Sequence, residues 1–389
     1  FDARYESPTD ESFAIHLEAA PAPFGYANHY ALRVGIQGKY ISPEDRQPAL
    51  LIFVIDVSGS MDMENRLGLV KQTLTILVDE LREDDRVAIA VYSNSSRVVL
   101  QPTSDKDEIM TAVNALAPEG STNAEAGLNL GYQVARDNMR EGENTRVILL
   151  SDGVANVGNT GPDAILRTIR EGVDAGITLS TIGFGMGNYN DVLMERLAND
   201  GNGNYYYVDN LREARRVFVH NLTSTLQVLG YDAKIQVEFN PEVTDRYRLL
   251  GYENRAIADQ DFRNDTVDAG EVGAGHSVTA LYELALQEGD VDGVVATVYI
   301  RYQDADTREV VELQQAITIA DIRASLDEAS PSFRLQLAVA EFAELLKGSF
   351  WTEGGSYGAV QSLIKTVADD FADDEDVTEL IEMIRVAVR

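Results

Sequence analysis

The chain has 389 residues, more than one ordinary core accommodates and enough for two or three domains. Its formal charge of −32, from 32 Lys and Arg against 64 Asp and Glu, argues against a nucleic-acid partner, because no basic stripe is present to neutralise phosphates. The lack of any cysteine excludes disulfides, thiolate metal sites and thiol nucleophiles, and no stretch reaches the roughly 18–20 unbroken apolar residues of a transmembrane helix.

Lysine is confined to six positions, and the many acids read as a solvated surface. The chain opens at Phe1 with no Met and no charged-then-apolar leader, which leaves room for a removed signal peptide, lipid anchor or upstream segment.

In chain order, Tyr30–Tyr40 (YALRVGIQGKY) alternates as a strand does. Leu50–Asp56 (LLIFVID) is apolar up to its final Asp, the pattern of a central parallel strand buried on both faces. Asn65–Leu81 carries Leu67, Val70, Leu74, Leu77, Val78 and Leu81 at helical spacing. Strands follow at Arg86–Tyr92 and, as an edge hairpin with it, Arg97–Leu100; helices are predicted over Asp105–Leu116 and Ala124–Met139. Thr145–Leu150 is a second buried strand, Pro162–Ala175 a helix, Ile177–Gly183 a strand, Asp191–Ala198 a short helix and Asn204–Val208 a last strand. Repeated strand–helix alternation predicts an α/β, doubly wound, mostly parallel sheet covered on both faces.

The flanks differ. Ala233–Phe239, Arg246–Tyr252, Ser277–Leu286, Val294–Tyr302 and Glu309–Ile319 are β-branched, often alternating, and separated by Gly/Asp/Asn-rich turns, as in an antiparallel β-sandwich. Strand-like sequence on both sides of the α/β block predicts that the block is inserted into that sandwich. From Ser332 the pattern is helical, with a final helix at Val377–Val388. The expected division is therefore residues 1–47, contributing strand(s) to the sandwich; 48–229, the α/β domain; 230–325, the rest of the sandwich; and 326–389, a carboxy-terminal helical region.

The chemistry concentrates after the first buried strand. Asp56, Ser58 and Ser60 place a carboxylate and two hydroxyls at i, i+2 and i+4 on one tight loop, which Gly59 lets bend. The carboxyl end of a central strand is where open parallel sheets build ligand sites. Two later loops reach the same edge: Gly120-Ser121-Thr122-Asn123 adds the Thr122 hydroxyl, and Ser151-Asp152-Gly153 adds a second carboxylate. Such an all-oxygen set is hard and suits Mg²⁺ over zinc or copper. Taken alone, D-x-S-x-S also fits a helix-capping turn; Thr122 and Asp152 in this context favour metal.

D-x-S-x-S, a later Thr and a later Asp in S-D-G resemble the metal-ion-dependent adhesion site of von Willebrand factor A domains. The resemblance implies a Rossmann-like domain in which Asp56, Ser58, Ser60, Thr122 and Asp152 hold Mg²⁺, with Mn²⁺ or Ca²⁺ as substitutes. It also implies a coordination position open to an Asp or Glu carboxylate of a protein partner. Gly183-Phe184-Gly185, the Asn204–Tyr207 run and Leu211–Phe218 resemble the closing segments of bacterial members, and Glu271–Glu283 and Ser332–Leu346 resemble the carboxy-terminal region of one bacterial group of exported, often lipid-anchored A-domain proteins with an uncharacterised tail domain. That likeness implies a cell-envelope or extracellular location and a non-catalytic, metal-dependent protein-binding role in adhesion or envelope assembly. Two alternatives stay open: a scaffold whose metal is purely structural, and a Mg²⁺-dependent hydrolase. No phosphate-binding glycine loop and no G-x-S-x-G elbow supports the hydrolase.

The remaining candidates have plainer readings. His16, His29, His220 and His276 are scattered without ligand spacing. Asp62 and Glu64 suit a first helical turn, Arg215 and Arg216 suit partners among surface acids, and Tyr205–Tyr207 reads as a strand of alternately buried and exposed rings. The acidic run Asp369–Asp376 lacks EF-hand spacing and reads as a solvated loop.

Overall fold

A computed structural model describes residues 1–24, 29–63, 66–153, 162–185, 191–220, 226–251, 258–264, 269–289, 291–352 and 355–388. The chain forms two compact units, one of residues 41–228 with 270–274, the other of residues 1–40, 229–269 and 275–389.

The first unit is built on six strands: β3 (Ala49–Asp56), β4 (Arg86–Tyr92), β5 (Ser96–Thr103), β6 (Asn144–Ser151), β7 (Ile177–Phe184) and β8 (Tyr205–Val208). They lie in the order β5-β4-β3-β6-β7-β8. All neighbours are parallel except β4 and β5, which pair antiparallel through the expected edge hairpin. β3 is buried at every position. Its Leu51, Phe53 and Ile55 face one core with α1 (Leu67–Glu80), α2 (Lys106–Ala115) and α6 (Leu211–Arg215). Leu50, Ile52 and Val54 face the other core with α3 (Ala124–Asn138), α4 (Pro162–Asp174) and α5 (Asp191–Asp200). α3 lies close on the sheet because it carries glycine where it crosses: a Cβ at Gly131 would stand 2.4 Å from Val54 Cγ2, and one at Gly127 2.6 Å from the Tyr92 ring.

The second unit carries β1 (Phe13–Pro21), β2 (His29–Gly38), β9 (Val228–Phe239), β10 (Thr244–Leu250), β12 (Ser277–Leu286), β13 (Val294–Asp304) and β14 (Val310–Thr318); the short β11 (Gly270–Gly273) groups with the α/β unit. One antiparallel sheet runs β1-β2-β12-β10, so strands from before the α/β block pair with strands from after it. In the other sheet β13 lies antiparallel between β9 and β14. Ala19, Leu32, Val34 and Leu284 of one sheet meet Val295, Ala296, Val298 and Ile317 of the other, giving a sandwich with the α/β block inserted. On its opposite face the first sheet presents Ala20, Ala31 and Leu281 to α7 (Pro331–Lys347), α8 (Tyr357–Lys365) and α9 (Glu375–Ala387).

Several expectations are corrected. β2 ends at Gly38 rather than Tyr40, and β1 and α8 were not anticipated. The Tyr205–Tyr207 rings do not alternate between buried and exposed; all three are half-buried, with Tyr206 packed on one core and Tyr205 on the other. The acidic run is not a simple loop: Phe371 is buried in a 3₁₀ turn, and Asp374 caps α9 by accepting from the amides of Asp376 and Val377. Glu64 lies outside the described residues, as does Tyr252, where the expected Arg246–Tyr252 strand ended.

Candidate metal centre

Three loops meet at the carboxyl edge of the central strands. β3 ends at Asp56, in register with Tyr92 at the end of β4, and β6 ends at Ser151, followed by Asp152. The loop after β3 folds back on itself: the Asp56 carboxylate accepts from the Ser58 amide at 2.8 Å, and the Ser58 and Ser60 hydroxyls lie 3.0 Å apart. Ser151 Oγ donates to Asp56 Oδ2 at 3.3 Å and accepts from the Gly153 amide at 3.1 Å, joining the second carboxylate's loop to the first. The third loop is tied in by backbone: the Gly59 amide donates to the Gly120 carbonyl at 2.9 Å, and the Glu119 amide to the Val57 carbonyl. Thr122 is half-buried one residue before Asn123, whose side chain caps α3 by accepting from the Ala126 amide at 3.1 Å.

Asp56, Ser58 and Asp152 are all buried, Asp56 fully. Burial pushes the Asp56 carboxyl above its ordinary value; hydrogen bonds from Ser58 oppose this, and the negative charge of Asp152 adds to it. Tyr92, fully buried alongside, has its hydroxyl pushed well up by burial and then by the Asp56 charge. Two carboxylates in a low-dielectric pocket, each repelling the other, are stabilised by a cation between or beside them. Among the described residues no three His, Asp or Glu side chains gather as a metal cluster. The donor set here instead combines two carboxylates with hydroxyls, the hard oxygen chemistry that Mg²⁺ and its substitutes accept.

One cation at this site belongs to the chain. Arg66, just ahead of α1, donates through Nη1 to Asp152 Oδ2 at 2.6 Å and to the Ser60 carbonyl at 2.9 Å. Sequence reasoning missed it, together with Ser151 and Tyr92. Ser151 stood inside the S-D-G triplet, whereas a lone arginine before a helix carries no motif.

The model of the von Willebrand factor type A domain matches residues 51–223. The α/β unit is a von Willebrand factor A domain. Residues 224–294 and 290–388 match a second model, the C-terminal region of the uncharacterised protein YfbK. The uncharacterised protein YfbK of Escherichia coli (strain K12) is 36 % identical over 364 residues, covering 90 % of this chain and 63 % of that protein. The uncharacterised protein sll0103 of Synechocystis is 32 % identical over 54 % of this chain and 50 % of its own. Inter-alpha-trypsin inhibitor heavy chain H3 of Mesocricetus auratus is 28 % identical over 51 % of this chain and 22 % of its own. The chain thus spans less than two thirds of the length of each of these relatives. A solved von Willebrand factor type A protein from Catenulispora acidiphila covers 99 % of this chain and 91 % of its own at a TM-score of 0.52 and 14 % identity, so the fold extends through the sandwich and helices as well as the A domain. Among the described residues no helix is long and apolar enough to cross a membrane.

Proposed function

We propose that the A domain is a non-catalytic protein-binding module that holds Mg²⁺ through Asp56, Ser58, Ser60, Thr122 and Asp152 and uses it to grip an Asp or Glu carboxylate of a protein partner. The observation that carries this reading is the meeting of the Asp56–Ser58–Ser60 loop with Asp152 at one sheet edge, two buried carboxylates beside paired hydroxyls. Mg²⁺ takes six oxygens at roughly 2.0–2.1 Å and usually keeps several waters; a water exchanged for a partner carboxylate joins the two proteins through the ion. Asp56, whose carboxyl burial and Asp152 push upward, gains most from a nearby divalent charge. Ser58 and Ser60 supply neutral donors that do not add to the repulsion. The resemblance to exported bacterial A-domain proteins supports a place at the cell envelope, in adhesion or assembly there.

The test is calorimetric titration of Mg²⁺ and Mn²⁺ into the full chain and into the Asp56→Ala/Ser58→Ala double variant. Binding to the unaltered chain that the double variant loses supports the reading. Metal heat retained by the double variant, or none with the unaltered chain, refutes it.

A further inference from the structure

The A domain carries a fixed positive charge in contact with one of its two site carboxylates. Arg66 binds Asp152 and the Ser60 carbonyl with the same Nη1 atom, so it touches two of the loops that form the site. Its side chain is only 11 % exposed, and that of Asp152 is wholly buried. The arginine is held in place by the shape of its surroundings. It passes over Gly185, where a Cβ would lie 2.8 Å from Arg66 Nε and 2.9 Å from Arg66 Cγ. Gly185 itself has a φ of +98°, and its carbonyl accepts from the Tyr207 hydroxyl. Only glycine adopts that backbone readily and leaves room for the guanidinium.

This arrangement matters for what the site selects. A divalent ion balances Asp56 and Asp152, and a guanidinium that never loses its proton then leaves one positive charge in excess. In a water-poor pocket that excess favours an anionic ligand over water or a neutral carbonyl. The same charge repels the incoming metal, and Asp152, already shared with a guanidinium, is a weaker donor. We infer that Arg66 is a specificity-determining residue of the site, which gives up metal affinity in exchange for a preference for carboxylate ligands. This inference rests on the metal-binding reading above and deepens it.

Mn²⁺ alone, titrated into the full chain and into Arg66→Gln and Arg66→Lys, tests it by calorimetry and water-proton relaxation. Acetate is then added as the carboxylate probe, its entry read as loss of relaxation enhancement, with circular dichroism confirming the fold of each variant. Arg66→Gln is expected to bind Mn²⁺ about tenfold tighter and to need about tenfold more acetate, the effect of one charge acting at moderate effective dielectric. Arg66→Lys, which keeps the charge, is expected to stay within about threefold of the unaltered chain for acetate. If Arg66→Gln does not fold, Arg66→Lys decides, and loss of its acetate response overturns the inference. Mn²⁺ binding that Arg66→Gln leaves no tighter, or acetate taken up as readily as before, also overturns the role of Arg66 while sparing the metal site. No Mn²⁺ binding to the unaltered chain overturns both.

Discussion

Asp85 offers the sharpest stability prediction in the A domain. It is 1 % exposed and faces Arg46, itself 4 % exposed. Its Oδ1 accepts from Arg46 Nη1 at 2.8 Å and the Ala49 amide at 3.0 Å, and its Oδ2 from Arg46 Nη2 and the Arg82 amide, the latter at 2.9 Å. Asp85→Asn keeps the shape, removes the charge and leaves Arg46 as a buried cation without its counter-ion. Breaking a buried pair from one side costs about 3–5 kcal/mol; the retained carbonyl keeps part of the hydrogen bonding, so about 3 kcal/mol is expected. Trp351, the only tryptophan, belongs to the other unit, so hydrogen exchange of the Ala49–Asp56 amides is the proper reporter. At about 1.4 kcal/mol per decade, exchange through opening of β3 should quicken by about a hundredfold at pH 7. The pH dependence follows with a fixed sign. Burial raises the Asp85 carboxyl, but hydrogen bonds from Arg46 and the Arg82 amide, with the Arg46 charge, outweigh it and hold the pKa below the ordinary 3.8. A depressed folded value gives stability that is present above the unfolded pKa and lost as pH falls through the folded one. The gap between Asp85→Asn and the unaltered chain should therefore shrink as the pH is lowered past about 3.9. Protection within about twofold of the unaltered chain at pH 7, or a gap that widens in acid, would refute the reasoning.

Two further changes test the packing. Gly131→Ala forces a methyl to within 2.4 Å of Val54 Cγ2, and overpacking of this kind costs about 1–3 kcal/mol; a thermal transition left where it was would show that α3 has slack. Ser330→Ala removes the cap of α7, which accepts from the Phe333 amide at 3.3 Å, and the same hydroxyl's 2.7 Å bond to Glu18. A loss of about 1–2 kcal/mol is expected in urea unfolding followed by Trp351 fluorescence, and an unchanged midpoint would count against the cap.

The parts legible from sequence were those whose burial leaves a one-dimensional trace. Leu50–Ile55 is apolar at every position because helices cover both faces of β3, and the strand's start was misplaced by only one residue. β1 was passed over although Phe13, Ile15 and Leu17 alternate with Ala14, His16 and Glu18; the pattern fades at Ala19 and Ala20, which point to opposite faces of a sheet covered on both sides and are both buried. α8 escaped because nine residues give only about two and a half turns of periodicity. Asp56, Ser58, Ser60, Thr122 and Asp152 could be singled out as candidates because each sits within a few residues of a strand end or helix cap. Arg66 reaches Asp152 across 86 residues of sequence, and a long side chain's destination has no local signature.

The two ends of β3 hold buried carboxylates in contrasting surroundings. At the start, Asp85 has an arginine fork and two backbone amides, and its carboxyl is held down. At the end, Asp56 accepts from the Ser58 amide and the Ser151 hydroxyl and faces a second carboxylate; it has no arginine of its own, and its carboxyl is driven up. Arg66 is spent on Asp152 instead. A fold that merely needed both ends of β3 secured would pair both acids in the same way. The uneven pairing leaves negative charge under-compensated at the edge where three loops converge. A metal that completes it therefore adds stability as it binds, so a thermal transition that rises with Mg²⁺ in the unaltered chain and stays fixed in Asp56→Ala/Ser58→Ala is the outcome this asymmetry requires.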